Sequence, residues 1–129
     1  MPKKLGDFIA EARARIEEVS ADELEEMIEE RDGLLVIDVR EAWEYEAGRI
    51  PNSILVPRGT LEGAADPGYK HRDPVLCQAY ERPIVLYCQT GGRSAMAVDT
   101  LNQMGFREVY NLAGGIELWE AEDYPTESG

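Results

Sequence analysis

Two short apolar runs decide most of what this chain can fold into. Leu34-Leu35-Val36-Ile37 leads into Asp38-Val39, and Pro83-Ile84-Val85-Leu86-Tyr87 leads into Cys88. A strand with one wet face alternates apolar and polar residues. A run without that alternation is expected where both faces are covered, as in parallel sheets flanked by helices. After the first run, Glu41–Ala47 has a short helical pattern closed by Gly48; Ile50-Pro51-Asn52 turns, and Ser53–Val56 is a second strand stopped by Pro57. Strand, helix, strand at this spacing predicts an α/β fold with a parallel sheet.

The second run ends on Cys88-Gln89-Thr90-Gly91-Gly92-Arg93-Ser94, and a helical pattern continues to Gly105. A helix start presents unpaired N–H groups and the positive end of its dipole, an environment that favours a thiolate or a bound anion. Gly91 and Gly92 allow positive φ and put no side chain in the way. Arg93 offers a cationic fork, and the N–H groups of residues 89 to 93 can surround an anion or the outer sulfur of a persulfide on Cys88. The plainer alternative is a buried structural cysteine beside an ordinary Gly-Gly turn.

Around these runs the pattern is helical first and irregular later. Phe8, Ile9, Ala12, Ile16 and Val19 recur at helical spacing, predicting an amphipathic helix within residues 1–19. Ser20-Ala21-Asp22-Glu23 is a capping box, followed by Leu24, Met27 and Ile28 on one helical face and a stop at Gly33. From Arg58 to Arg82 glycines and prolines break every period, leaving one helical piece at Pro74–Tyr80; a stretch of that length is expected to be functional or a covering flap. Val109–Leu112 reads as a strand, Gly114-Gly115 as a turn into the helix Ile116–Glu120, and the chain from Glu122 as frayed. The main domain is expected over 20–125, with 126–129 as tail.

With 129 residues the chain is read as one domain. Thirteen basic against 26 acidic residues leave a net charge of −13, which argues against nucleic acid or an anionic membrane surface as partner. There is no apolar run long enough to span a membrane and no apolar signal segment behind Lys3-Lys4, so a cytoplasmic home is expected. There Cys77 and Cys88 are expected as free thiols. One histidine, His71, and no C-x-x-C argue against a metal site.

Four separated stretches carry a resemblance. They are Asp38-Val39-Arg40-Glu41 with Trp43-Glu44-Tyr45; Gly48-Arg49-Ile50-Pro51-Asn52-Ser53; the Cys88–Ser94 loop; and Gly114-Gly115-Ile116 with Trp119. In this order they resemble the single-domain rhodanese family of sulfurtransferases over about residues 20 to 125. The resemblance implies a central parallel sheet of about five strands with helices on both faces. It implies Cys88 as the nucleophile that takes sulfane sulfur, Gln89, Thr90, Gly91, Gly92 and Arg93 as the cradle around it, and Ser94 as the start of the helix behind. Asp38 and Arg40 match positions that look structural, bracing neighbouring loops. Arg49 departs from the family, which usually has histidine before Ile-Pro. Arg58 could guide an anionic donor or lie solvated in its loop.

The expected chemistry is attack of the Cys88 thiolate on thiosulfate or another persulfide. The sulfur then passes to cyanide, a thiol, a thioredoxin-like dithiol or a sulfur-carrier protein, without cofactor or metal. One rival is a phosphatase or arsenate reductase, whose loops place one residue more between cysteine and arginine than the four found here. A second is a non-enzymatic binding module. Cys77 is expected as apolar filler rather than a resolving thiol, and His71 as a solvated loop residue.

Overall fold

The computed structural model describes all 129 residues. In chain order the elements are α1 (Leu5–Arg13), β1 (Glu17–Val19), α2 (Ala21–Glu30), β2 (Leu35–Asp38), α3 (Ala42–Ala47), β3 (Ile54–Leu55), α4 (Leu61–Ala65), β4 (Pro83–Tyr87), α5 (Gly92–Gln103), β5 (Glu108–Leu112) and α6 (Gly115–Ala121). Two single 3₁₀ turns, Arg58–Thr60 and Leu76–Gln78, lie in the irregular stretch. All five strands are parallel, in the order β1-β5-β4-β2-β3. This is the α/β sheet that the unalternating runs predict.

The pleat divides the core into two. Leu35 and Ile37 of β2, Ile84 and Leu86 of β4 and Val109 of β5 face one side, where they meet Ala97, Val98 and Leu101 of α5 and Leu61 and Ala64 of α4. Val36, Val85, Tyr87 and Leu112 face the other, against Leu24 of α2 and Ile116 and Trp119 of α6. Burying a side chain such as Leu24 or Ile116 contributes about 2 kcal/mol. The central strand β4 is buried along its whole length, and its carboxyl end delivers Cys88 to the rim of the sheet.

Four expectations shift. The N-terminal helix stops at Arg13, and Glu17–Val19 is an edge strand paired with β5, which buries Val19. Ile16 and Val19 fit a helical period, but a three-residue strand is too short to display a period of its own. In the irregular stretch α4 forms despite Gly63, because Leu61, Ala64 and Ala65 are driven into the core. The helical piece expected at Pro74–Tyr80 is only the 3₁₀ turn Leu76–Gln78. The tail is tied rather than frayed: Trp119 Nε1 donates to the Pro125 carbonyl, and Arg49 and Glu127 exchange backbone hydrogen bonds of 2.9 Å each.

Candidate active site

The site grows from the end of β4. Cys88 is 1% exposed, and its sulfur accepts three hydrogen bonds: from the Gly91 N–H at 3.1 Å, the Ser94 N–H at 3.4 Å and the Ser94 hydroxyl at 3.3 Å. Of the N–H groups at residues 89 to 93, only that of Gly91 donates to the sulfur in this state. Gly91 caps α5 with φ +105°, in the left-handed region where glycine carries no steric cost, and this turns its N–H inward. Ser94 sits in the first turn of α5, fully buried, so its N–H is one of those with no partner inside the helix. Donors converging on one sulfur at a helix start favour negative charge there.

The loop is held from behind by backbone. The Ile116 N–H donates to the Cys88 carbonyl at 2.9 Å and the Glu117 N–H to the Gln89 carbonyl at 3.1 Å, so the first turn of α6 clamps the residues around the thiol. Gly115 makes this approach possible, since a Cβ there would lie 2.4 Å from the Gln89 oxygen and 2.5 Å from the Cys88 oxygen. Asn111 on β5 donates to the Gly91 carbonyl at 3.1 Å and to Glu18 at 2.7 Å. Thr90 is exposed at the tip of the loop.

Arg93 does not reach into the cradle. It forms a bidentate pair with Glu44 of α3 at 2.8 and 3.0 Å, and these hydrogen bonds hold the Glu44 carboxyl down at about 2. Asp38 and Arg40 form a second buried bidentate pair at the end of β2. From there Arg40 reaches the Gly48 carbonyl at 2.6 Å and the Gln89 side-chain oxygen at 3.2 Å, linking two loops. Beneath it the Tyr87 hydroxyl pairs with Ser53 and accepts from the Ile50 N–H; burial raises this phenol well above the ordinary range, so it stays neutral. Arg40, Trp43, Glu44, Ala47, Gly48, Gln89 and Glu120 line an open depression of about 460 Å³ beside the loop.

The remaining candidates fall elsewhere. Arg58 is pinned to Glu62 at 3.0 Å and to Thr100 at 3.1 Å. Thr100 lies six residues beyond Ser94 in α5, about 9 Å along the helix, so this guanidinium rests on the helix flank. Arg49 donates to the Gly129 carbonyl at 2.9 Å and lies over the Tyr45 ring, serving the tail rather than the thiol. Cys77 is buried in its 3₁₀ turn, and both cysteines are free thiols. His71 packs edge-on against Tyr69 in the irregular stretch. Sequence reasoning missed the contacts of α1: Ile9 lies over Gly92, and an Arg13 nitrogen lies 3.2 Å from where a Gly91 Cβ would stand. The helical period marks α1 as amphipathic, but nothing in it says which element the helix packs on.

A strand ending on cysteine, a glycine cap and a serine turned back on the sulfur, clamped by a Gly-Gly helix start, invite comparison with known proteins. The family profile for the rhodanese-like domain matches residues 20–122. The chain belongs to the rhodanese-like family. A Coxiella burnetii protein named thiosulfate sulfurtransferase GlpE is 32% identical over 78% of this chain and 83% of its own length. YrkF of Bacillus subtilis, named as a candidate sulfur carrier protein, is 29% identical over 91% of this chain, which spans 58% of that protein. Among solved structures, a Rhodopseudomonas palustris protein of unknown function, described as a possible tyrosine phosphatase, superposes with a TM-score of 0.90 at 28% identity, covering 98% of this chain and 96% of the other. The sheet and the rhodanese-like match therefore agree. No helix is long and apolar enough to cross a membrane.

Proposed function

We propose that this protein moves sulfane sulfur through a persulfide on Cys88. The observation that carries the reading is the set of three donors on the Cys88 sulfur at the amino end of α5. In the first half-reaction the Cys88 thiolate attacks the outer sulfur of thiosulfate or of a donor persulfide. A new S–S bond forms on Cys88, the donor's S–S bond breaks, and sulfite or a thiolate leaves with the electron pair. In the second half an acceptor nucleophile, such as cyanide, a low-molecular-weight thiol, a thioredoxin-like dithiol or a carrier protein, attacks the outer sulfur and restores the Cys88 thiolate. The electrons balance without an added oxidant, cofactor or metal.

Burial suits this cycle. Cys88 itself is 1% exposed, while an added sulfur extends the reactive atom outward by about 2 Å. The N–H groups of the loop that leave the bare thiol alone are then available to the outer sulfur, and Gly91 and Gly92 keep that space free of side chains. The GlpE relative is named for thiosulfate and YrkF for sulfur carriage, so a small donor and a protein acceptor both fit the reading. A cytoplasmic home fits it too, since a persulfide cycle needs reduced thiols.

The phosphatase reading, prompted by the Rhodopseudomonas palustris structure, requires the loop arginine to hold phosphate oxygens. Here Arg93 is bound at both nitrogens by Glu44, and the loop is one residue tighter than a phosphate cradle. The test is mass spectrometry after thiosulfate or persulfide treatment, beside hydrolysis of an aryl phosphate. One added sulfur on Cys88, absent in Cys88→Ser, is expected. An unmodified Cys88 under every donor, or phosphate release exceeding sulfur uptake, overturns the reading.

A further inference from the structure

The cations around the cysteine loop are unequally occupied. Arg93 is held by Glu44 through two hydrogen bonds and Arg40 by Asp38 through three. Arg58 is pinned on the flank of α5. Arg13, at the end of α1, differs. Its single carboxylate partner is Glu18 at 3.8 Å, beyond hydrogen-bond distance, and Glu18 already accepts from Asn111 at 2.7 Å. The Arg13 side chain is 45% exposed, and its terminal nitrogen lies against Gly91, whose N–H donates to the Cys88 sulfur. A guanidinium with unused donors beside the cysteine loop can take a bidentate anion; one already saturated by a carboxylate cannot do so without breaking that pair.

The segment that presents Arg13 is fixed. Ala12 is buried against α5, Ile9 lies over Gly92, and Arg15 forms a bidentate pair with Asp99 at 2.8 and 3.1 Å. These contacts set the end of α1 at the edge of the loop. Arg13 also lies outside residues 20–122, the part matched by the family profile.

We infer that α1 completes the site, and that Arg13 is the donor-binding cation: it holds the anionic end of an incoming sulfur donor, the sulfonate oxygens in the case of thiosulfate. The assignment rests on the reading of Cys88 as the sulfur-accepting nucleophile. In the first half-reaction Arg13 binds the group that departs as sulfite, while Gly91 and Ser94 hold the attacking sulfur. The net charge of −13 opposes any dianion, so one uncommitted guanidinium at the loop confers a preference for anionic donors that the rest of the surface works against.

The test separates charge from chemistry. Cys88 is alkylated with iodoacetate, an anion, and with iodoacetamide, its neutral analogue, and the two rates are read by peptide mass in wild type, Arg13→Gln, Arg93→Gln and Lys3→Gln. Lys3 carries the same charge just before the same helix but pairs with Glu11. Removing one cation near the thiol is expected to lower the iodoacetate-to-iodoacetamide ratio about five-fold in Arg13→Gln. Lys3→Gln should leave the ratio unchanged. With thiosulfate, Arg13→Gln should raise KM by a similar factor with kcat held, while transfer from a neutral persulfide is unaffected. An unchanged ratio, an equal fall with both reagents, or a fall confined to Arg93→Gln overturns the assignment. If wild type takes no sulfur from any donor, the sulfur-transfer reading fails, and the alkylation ratio still decides whether Arg13 is the cation that faces an anion at this thiol.

Discussion

Ser94 and Gly115 do most to shape the surroundings of the thiol, and each does so through a single atom or its absence. The Ser94 hydroxyl lies 3.3 Å from the Cys88 sulfur. A hydrogen bond to a charged partner is worth about 1.5 kcal/mol or more, so Ser94→Ala should slow sulfur uptake by Cys88 about ten-fold, read as the rate of the mass increase. Ser94→Cys, which keeps a weak donor, should recover part of the rate. Gly115 is the opposite case. With φ +62° and two carbonyl oxygens within 2.5 Å of any Cβ, Gly115→Ala must push the α6 turn off the loop. A loss of about 2–4 kcal/mol in urea unfolding is expected, with uptake falling in the protein that remains folded. The glycine pair was legible as a turn, and the loop as the passage from strand to helix behind Cys88. That Ser94 turns its hydroxyl on the sulfur was not, because a rotamer depends on what closes around it.

At the scale of elements, the Arg93–Glu44 pair ties α3 to the start of α5 across the mouth of the site. Glu44 titrates near 2 in the folded protein, against 4.5 unperturbed, because it accepts both Arg93 hydrogen bonds. A carboxyl depressed on folding stabilises fully above its unfolded value, and that contribution is lost as pH falls toward the folded one. Arg93 is partly exposed, so solvent screening trims the effect to about 2 kcal/mol. Glu44→Gln should therefore be less stable than wild type by about that amount at pH 7. The gap should close between pH 4.5 and 2, as followed by urea melts at several pH values. A constant gap across that range would mean that the pair does not titrate as one unit. The sequence named both residues, Glu44 within the Trp43-Glu44-Tyr45 stretch and Arg93 within the loop. It could not pair them, because 49 residues separate them and only the crossover from β2 through α3 brings the two helices together.

At the scale of the whole molecule, the two ends of the chain close over a fold whose centre is the parallel sheet. The C-terminal residues pair with Arg49 and Glu46, so deleting residues 126–129 should remove the backbone exchange with Arg49 and lower Tm by about 3–6 °C. Differential scanning calorimetry of the truncated chain checks this; an unchanged Tm would return the tail to solvent. Sequence alone determined the class of sheet, the positions of β2 and β4, and the loop that carries Cys88. These are local facts: a strand buried on both faces has no polar alternation, and a Cys-to-Ser turn between strand and helix is written in consecutive residues. Only the tertiary structure decided that Glu17–Val19 is an edge strand, that Arg93 is spent on Glu44, that Arg49 serves the tail, and that Arg13 stands beside Gly91. Each of these depends on partners from 49 to 93 positions away, the distance from Glu44 to Arg93 and from Glu17 to Tyr110. No local period records such a distance, because it is set by how the strands order themselves in the sheet.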